Sequence, residues 1–150
     1  MVNFAVVNQI LLNADVNGKN KDVIILDWEE RRKSRQRVIS KGGIEIGIAL
    51  PTGTILYNGD ILYKDDTTYI EVEAKKEDII LIKHKDLVAS SNIAYEIGNK
   101  HLPAAINKDG IFMLYSPQTE AWLNKKGTEY YRIKTIFEPL TQGHAHVHER

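Results

Sequence analysis

The second half of the chain arranges its predicted elements in the order β-α-β-β-α-β, which restricts the fold more than any other feature. A compact apolar strand lies over residues 79–82. From Asp86 onward, a set of positions recurs at three- and four-residue steps, as in a helix: Leu87, Val88, Ser91, Ala94, Tyr95 and Gly98. A hairpin around residues 107–110 comes next, then a shorter helix over Pro117–Lys126 and a closing strand over residues 130–137. This order is typical of the ferredoxin-like fold, in which two crossovers between parallel strands give a four-stranded sheet with both helices on one face.

The first half of the chain shows strand patterns only. Residues 23–28 form a short apolar run that suits a buried strand. Residues 44–50 and 68–73 alternate between apolar and polar or small side chains, as half-buried strands do. The pair Asn58 and Gly59 is typical of a tight hairpin. No helical period of useful length occurs before about residue 85, so this half is predicted to be a small β domain.

The predicted architecture is therefore α+β with two domains. We expect an N-terminal β domain over residues 1–75 and a ferredoxin-like domain over residues 76–138. Residues 139–150 have little apolar content and are predicted to form a flexible tail that carries histidines.

The composition excludes several classes of function. Twenty basic and 20 acidic side chains cancel, so no net field attracts nucleic acid or an anionic membrane. The absence of cysteine removes disulfides, thiolate metal sites and cysteine nucleophiles. The sequence has neither a glycine-rich phosphate loop nor a nucleophile–base grouping, and no enzymatic activity is predicted. No apolar run could span a bilayer and the first residues lack a basic start, so we expect a cytoplasmic protein.

Three of the five histidines lie in the last seven residues, at His144, His146 and His148. Imidazole is the commonest metal-binding side chain at neutral pH, and alternate residues of an extended segment point to the same side. An expression tag or a chance cluster is the alternative, but a tag is normally an unbroken histidine run. The tract therefore predicts metal capture through nitrogen ligands, which suits nickel, copper or zinc.

His101 follows the first predicted helix of the second half by a few residues. A single histidine at a helix end is more often only a partner for the helix dipole. It becomes a metal ligand if further histidines approach it, either from the tail or from a twofold-related copy of the chain. His84, between two lysines, is interpreted as a surface residue.

The basic stretch over residues 31–37 is predicted to place Arg31, Lys33, Arg35 and Arg37 on one side of a strand. A solvated edge that discourages pairing between sheets is one interpretation, and a docking surface for an acidic protein partner is about equally favoured. Nucleic-acid binding is weakly supported, because the rest of the chain neutralises the charge and aromatic residues are not interleaved.

Four blocks of sequence carry a family resemblance that extends over nearly the whole chain. They are residues 26–37, residues 47–60, the stretch Ala-Tyr-Glu-Ile-Gly-Asn-Lys-His-Leu-Pro at 94–103, and Phe-Glu-Pro at 137–139 followed by a histidine-bearing end. In this order they resemble the UreE family of urease accessory nickel chaperones.

The resemblance implies an N-terminal domain similar to the peptide-binding module of DnaJ-type chaperones and a C-terminal ferredoxin-like metal-binding domain. It also implies a homodimer in which His101 and its symmetry mate bind Ni²⁺ between the subunits, with His144, His146 and His148 supplying further ligands. The implied recipients are the urease accessory GTPase and the apo-urease assembly complex.

Two departures from the family pattern limit the implied metal capacity. Some members have additional histidines where this chain has Ser116 to Thr119, and others carry longer histidine tails. A few ions per dimer are therefore expected. Zn²⁺ and Cu²⁺ are expected to compete for nitrogen sites. The alternative functions are a zinc or copper buffer and a peptide- or protein-binding adaptor whose tail binds metal incidentally.

Overall fold

The computed structural model describes residues 4–140 and divides the chain into two compact units that meet between Lys75 and Lys76. Each unit has a hydrophobic core of its own. The prediction of a β-rich N-terminal half followed by an α+β half is confirmed.

The first unit consists of two three-stranded sheets and one short helix. Its elements are β1 (Phe4–Val7), β2 (Asn20–Leu26), α1 (Trp28–Arg31), β3 (Arg35–Ile39), β4 (Glu45–Ala49), β5 (Ile61–Lys64) and β6 (Thr68–Ala74). One sheet has the order β1-β4-β3 and the other has the order β2-β6-β5. The pairs β1·β4 and β2·β6 are parallel, and the remaining two pairs are antiparallel.

The alternation expected from the sequence sets the core of this unit. Ile46 and Ile48 of β4 and Ile70 and Val72 of β6 are all buried in one cluster. Because successive strand residues point to opposite faces, the intervening residues of β4 form the outer face of their sheet.

Trp28 differs from its prediction, because it begins helix α1 and does not continue a strand. Asp27 caps this helix: its carboxylate accepts the Glu30 N–H at 2.8 Å, and the Glu30 carboxylate accepts the Asp27 N–H at 3.1 Å. A reciprocal pair of this kind fixes a helix start. A four-residue helix is too short to produce the period by which helices are recognised in a sequence.

The Asn58-Gly59 pair forms a turn, but the predicted tight hairpin there is wrong. Residues 50–60 contain no strand, and β5 pairs with β6, which follows it. The Asn58 side-chain oxygen instead accepts the N–H of Ala74 at 2.8 Å, which attaches the turn to the end of β6. The turn chemistry was predicted correctly, whereas the pairing depended on more distant strands.

The second unit has the predicted ferredoxin-like topology. Its elements are β7 (Lys76–Ile82), α2 (Leu87–Asn99), β8 (Ala105–Asn107), β9 (Gly110–Leu114), α3 (Pro117–Lys126) and β10 (Tyr131–Ile136). The sheet order is β10-β7-β9-β8, and every neighbouring pair is antiparallel. The crossovers join parallel strands that are separated by one strand, as in a split β-α-β unit.

Both helices of the second unit pack on the same face of its sheet. Ile93 and Ile97 of α2 and Leu123 of α3 share one buried cluster with side chains of β7 and β9. The predicted start of α2 is confirmed, since the Asp86 carboxylate accepts the Ala89 N–H at 2.8 Å. In the resulting arrangement the C-terminal end of α2 leads directly to His101.

The segment after β10 stays in contact with the second unit as far as Leu140. Pro139 is buried, and the Leu140 N–H donates to the carbonyl oxygen of Ala104 at 2.8 Å. These two residues were predicted to belong to the tail. Residues 141–150, which include His144, His146 and His148, lie outside the described residues.

Candidate metal site at the end of helix α2

His101 occupies the first position after the cap of α2 and has a left-handed backbone, with φ of 57°. Its N–H donates to the Gly98 carbonyl at 3.0 Å, and the Leu102 N–H donates to the Ile97 carbonyl at 3.3 Å. These two bonds are the Schellman pattern, which closes a helix by turning one residue into the left-handed region. His101 is therefore an exposed side chain at the capped end of α2.

Histidine is not the residue that this backbone conformation favours. Glycine is the usual choice after a helix cap, because a side chain in the left-handed region costs about 1–2 kcal/mol. Among the described residues, only Asn13 is a second non-glycine residue with positive φ. Residues with such a backbone cluster at functional sites, so the turn makes His101 a candidate functional residue.

An apolar stripe runs along the outer side of α2 toward His101. Leu87 is 82% exposed, Val88 68% and Tyr95 71%, and Leu102 is also exposed. Leu87, Val88 and Tyr95 fall within about 100° of arc on one side of α2, at 3.6 residues per turn, whereas Leu102 lies beyond the helix. Exposed apolar side chains on one side of a helix make this surface a candidate contact site for another molecule.

The helical period found in the sequence belongs to this exposed face. The periodic set included Leu87, Val88 and Tyr95, whereas the side chains that enter the core are Ile93 and Ile97. Both faces of α2 carry apolar residues, so periodicity alone could not tell which of them packs on the sheet.

One copy of the described chain does not complete a metal site. Within residues 4–140, no three histidine, aspartate or glutamate side chains come together as a ligand cluster. Among the described residues, His101 is therefore a candidate ligand around which no further candidate ligands cluster. The positions of His144, His146 and His148 relative to it fall outside the described residues.

The last described residue of the C-terminal segment, Leu140, nevertheless lies close to this turn. The bond between Leu140 and Ala104 attaches it three residues beyond His101. The sequence offered no signal for this contact, because a single backbone hydrogen bond between distant residues leaves no compositional pattern.

His84 is exposed, as predicted, and it uses both ring nitrogens within the unit. Nε2 lies 2.7 Å from the Asn107 carbonyl oxygen and Nδ1 lies 2.8 Å from the Ser90 hydroxyl. Since a carbonyl oxygen only accepts, Nε2 donates and Nδ1 accepts from the hydroxyl when the ring is neutral. His84 therefore links the first turn of α2 to the β8–β9 hairpin.

The predicted single-sided row of basic residues is wrong for its first members. Arg31 is fully buried at the end of α1, with its guanidinium 5.5 Å from the centre of the Trp28 ring. Lys33 precedes β3, so only Arg35 and Arg37 alternate on the strand. The short helix that the sequence did not reveal is the reason, because it changes the direction of the side chains before residue 35.

Comparison with known proteins assigns both units. Residues 7–75 match the family described as UreE urease accessory protein, N-terminal domain, and residues 77–150 match the C-terminal domain of the same description. The chain is 34% identical over 149 residues to the urease accessory protein UreE of Flavobacterium johnsoniae, a match that covers 94% of this chain and 90% of that protein.

Two further relatives are longer than this chain. The urease accessory protein UreE of Cupriavidus necator is 32% identical over 130 residues, which cover 84% of this chain and 68% of that protein. That of Paraburkholderia xenovorans is 30% identical over 140 residues, which cover 91% and 62% respectively.

A β unit joined to a ferredoxin-like unit, both matching accessory-protein domains, defines a non-enzymatic accessory protein. The absence of enzymatic activity predicted from the sequence agrees with this class. The chain belongs to the UreE family of urease accessory proteins and has a role in urease maturation. No helix within residues 4–140 is long and apolar enough to cross a membrane.

Proposed function

We propose that this chain is a nickel metallochaperone that delivers Ni²⁺ to the urease maturation complex. Two copies of His101 bind the ion on the twofold axis of a homodimer, and His144, His146 and His148 supply additional ligands. The observation that carries the proposal is the strained left-handed turn that presents His101 at the end of an exposed apolar stripe.

The stripe on α2 supports a symmetric dimer. One imidazole holds a metal ion weakly, so His101 needs partners, and a twofold interface repeats the same residue from both subunits. Contact between two copies of the stripe would cover Leu87, Val88 and Tyr95, whose exposure to water is otherwise unfavourable. With the twofold axis near the ends of the two α2 helices, both His101 side chains face one ion.

The attachment of Leu140 near this turn supports the role of the tail. Ala104 lies three positions after His101 and His144 lies four positions after Leu140, so the two segments span at most about 11 Å and about 14 Å when extended, at about 3.6 Å per residue. Tail imidazoles can therefore reach the turn, and the short tether gives them a high effective concentration there.

An exposed site suits delivery. A recipient can replace tail imidazoles one at a time, whereas a closed and fully coordinated site would retain its ion. The proposed recipients are the urease accessory GTPase and, through it, the apo-urease assembly complex, and the proposed compartment is the cytoplasm. Nickel is the proposed cargo because the role in urease maturation supports it, although imidazole sites also accept zinc and copper.

Nickel titration by calorimetry tests this proposal. We expect His101→Ala to abolish the shared site and deletion of residues 144–150 to lower affinity or stoichiometry while some binding remains. His84→Ala serves as the matched control, because it removes a histidine of the same unit whose ring nitrogens already have partners. Full-strength nickel binding by His101→Ala would overturn the assignment.

A further inference from the structure

We propose that the free edge of β3 in the first unit is a docking site for an extended acidic segment of a partner protein, which adds to the sheet as a fourth strand. The site is formed by the backbone of Arg35, Arg37 and Ile39 together with their exposed side chains. It is separate from His101 and does not depend on the proposed metal function.

The backbone pattern shows which groups are available at this edge. In the sheet β1-β4-β3, strand β3 is terminal and pairs with β4 alone. The bonds from Leu50 N–H to the Ser34 carbonyl and from Ser40 N–H to the Ile44 carbonyl, both 2.8 Å, fix the even-numbered residues as those bonded to β4. The N–H and C=O groups of Arg35, Arg37 and Ile39 therefore point outward.

The outward groups of these three residues have no partner in the described part of the chain, whereas the Lys41 N–H beyond them donates to the Val23 carbonyl oxygen at 2.8 Å, so β2 bounds the edge at that end. Within residues 4–140, no backbone or side-chain hydrogen bond is made to the main chain of Arg35, Arg37 or Ile39. A row of such groups is a template for an added strand, the mode of recognition called β-augmentation.

The charge of the outer face selects an acidic partner. Arg35 has no ion-pair partner among the described residues, and its side chain is exposed. Arg37 pairs with Glu45 and lies 5.7 Å from the centre of the Phe4 ring. An added strand places alternate side chains beside these two guanidinium groups, so carboxylates at those positions complete charge-assisted hydrogen bonds.

The same face also offers apolar contact. Ile39 is 70% exposed and Val6 is 66% exposed on the outer face of this sheet. Gly47 lies between β1 and β3 and carries no side chain, which leaves room for the Phe4 ring to lie across it. An antiparallel partner strand is thus favoured when it has an apolar residue opposite Ile39 and acidic residues opposite Arg37 and Arg35. One residue of any type separates each of these positions from the next.

Arginines on an edge strand can also serve only to prevent pairing. They act against a second copy of β3, because two such strands would bring like charges together, but the same charges attract an acidic strand. A surface that excludes its own copy and accepts an acidic segment is therefore specific for its partner.

Binding of a fluorescent peptide to the full-length protein tests the proposal. The probe is a ten-residue peptide in which the pattern apolar–any–Glu–any–Glu is flanked by threonines, and its control has Lys in place of each Glu. Arg35→Glu should weaken binding of the acidic peptide by about tenfold or more, because reversal of the charge turns attraction into repulsion. The matched control is Lys64→Glu on the other sheet, for which we expect less than a twofold change.

Ile39→Pro separates strand addition from charge attraction. The substitution removes the outward N–H of Ile39, which makes no hydrogen bond to β4, and it leaves the charge unchanged. Proline is tolerated on edge strands. We expect about tenfold weaker binding from the lost hydrogen bond and apolar contact. Amide resonances of Arg35, Arg37 and Ile39 in the wild-type protein should shift on titration, which provides a measurement that does not depend on the folding of this variant.

Several outcomes would overturn the proposal. They are the absence of any binding at millimolar peptide, equal binding of the lysine control, unshifted amide resonances at the β3 edge, and tighter binding of a single-stranded oligonucleotide than of the acidic peptide. Nickel binding of Arg35→Glu should equal that of the wild type, since the site lies in the other unit.

Discussion

Helices α2 and α3 end in the same backbone turn but use different residues for it. Gly127 after α3 has φ of 71°, and His101 after α2 has φ of 57°. In both turns the left-handed residue donates to the carbonyl three positions back, and the next residue donates to the carbonyl four positions before the left-handed residue. The turn after α3 has glycine, the residue that this backbone conformation favours. The turn after α2 has histidine, although the same conformation favours glycine.

The replacement of His101 by glycine makes the two turns alike, and it is expected to have the largest effect on the protein. We expect His101→Gly to lose the shared nickel site while the free energy of unfolding rises by about 0.5–1 kcal/mol. Relief of about 1–2 kcal/mol of left-handed strain exceeds the additional chain entropy of glycine, about 0.5–1 kcal/mol. Nickel calorimetry and urea denaturation measure the two effects, and a loss of stability would contradict the strain argument.

Acidification should show that the α2 turn acts through imidazole chemistry. Imidazole takes up a proton at about pH 6.5 in the absence of perturbation, and protons then compete with the metal. Nickel affinity should therefore fall as pH decreases from 7.5 to 5.5, by roughly a factor of ten per ligating histidine at the lower end. Calorimetry across this range tests it, and an affinity that stays flat between pH 5 and 8 would exclude histidine ligation.

Disruption of the stripe should weaken the α2 site without any change at His101. Tyr95→Glu introduces a charge into the proposed twofold contact and should raise the dimer dissociation constant by about tenfold or more, since burial of an unpaired charge is unfavourable. Sedimentation velocity measures this change. Asn124→Glu, at an exposed position of α3, is the control, and a dimer that withstands Tyr95→Glu would place the interface elsewhere.

The reciprocal substitution in α3 should give the smallest effect. Gly127→His should lower the free energy of unfolding by about 0.5–1 kcal/mol from backbone strain. A Cβ atom at Gly127 meets no atom within 4 Å, so steric overlap does not contribute. Thermal denaturation measures the change, with Lys125→Ala as the control. An unchanged melting temperature would indicate that such turns accept histidine without cost.

The accuracy of sequence-based prediction varied with how local each signal was. The bounds of α3 were predicted correctly, because Pro117 can begin a helix and Gly127 can end one within the same short segment. The hairpin at Asn58 was wrong, because the turn is local but its strand partner is not. The four residues of α1 were missed since they fall below the length at which a period is visible.

The candidate site also has features that the sequence revealed and features that it did not. The position of His101 after a helix alone favoured a dipole partner, and the family resemblance made it a predicted ligand, whereas the three tail histidines were predicted from composition. The sequence did not reveal the left-handed backbone of His101, because histidine, although enriched there, still adopts positive φ far less often than negative φ. It also did not reveal that the chain returns to Ala104 before the tail begins.

Local residue chemistry and the order of motifs were enough to determine the α+β class, the order of elements in the second unit, the start of α2, the bounds of α3 and the family. Tertiary structure decided which apolar face of α2 enters the core. Ile93 and Ile97 pack on the sheet because they face it once β7 and β9 are paired, and Leu87, Val88 and Tyr95 are left exposed on the other side of the helix. Helix periodicity defines the faces of a helix, but only packing against a neighbouring layer determines which face is buried.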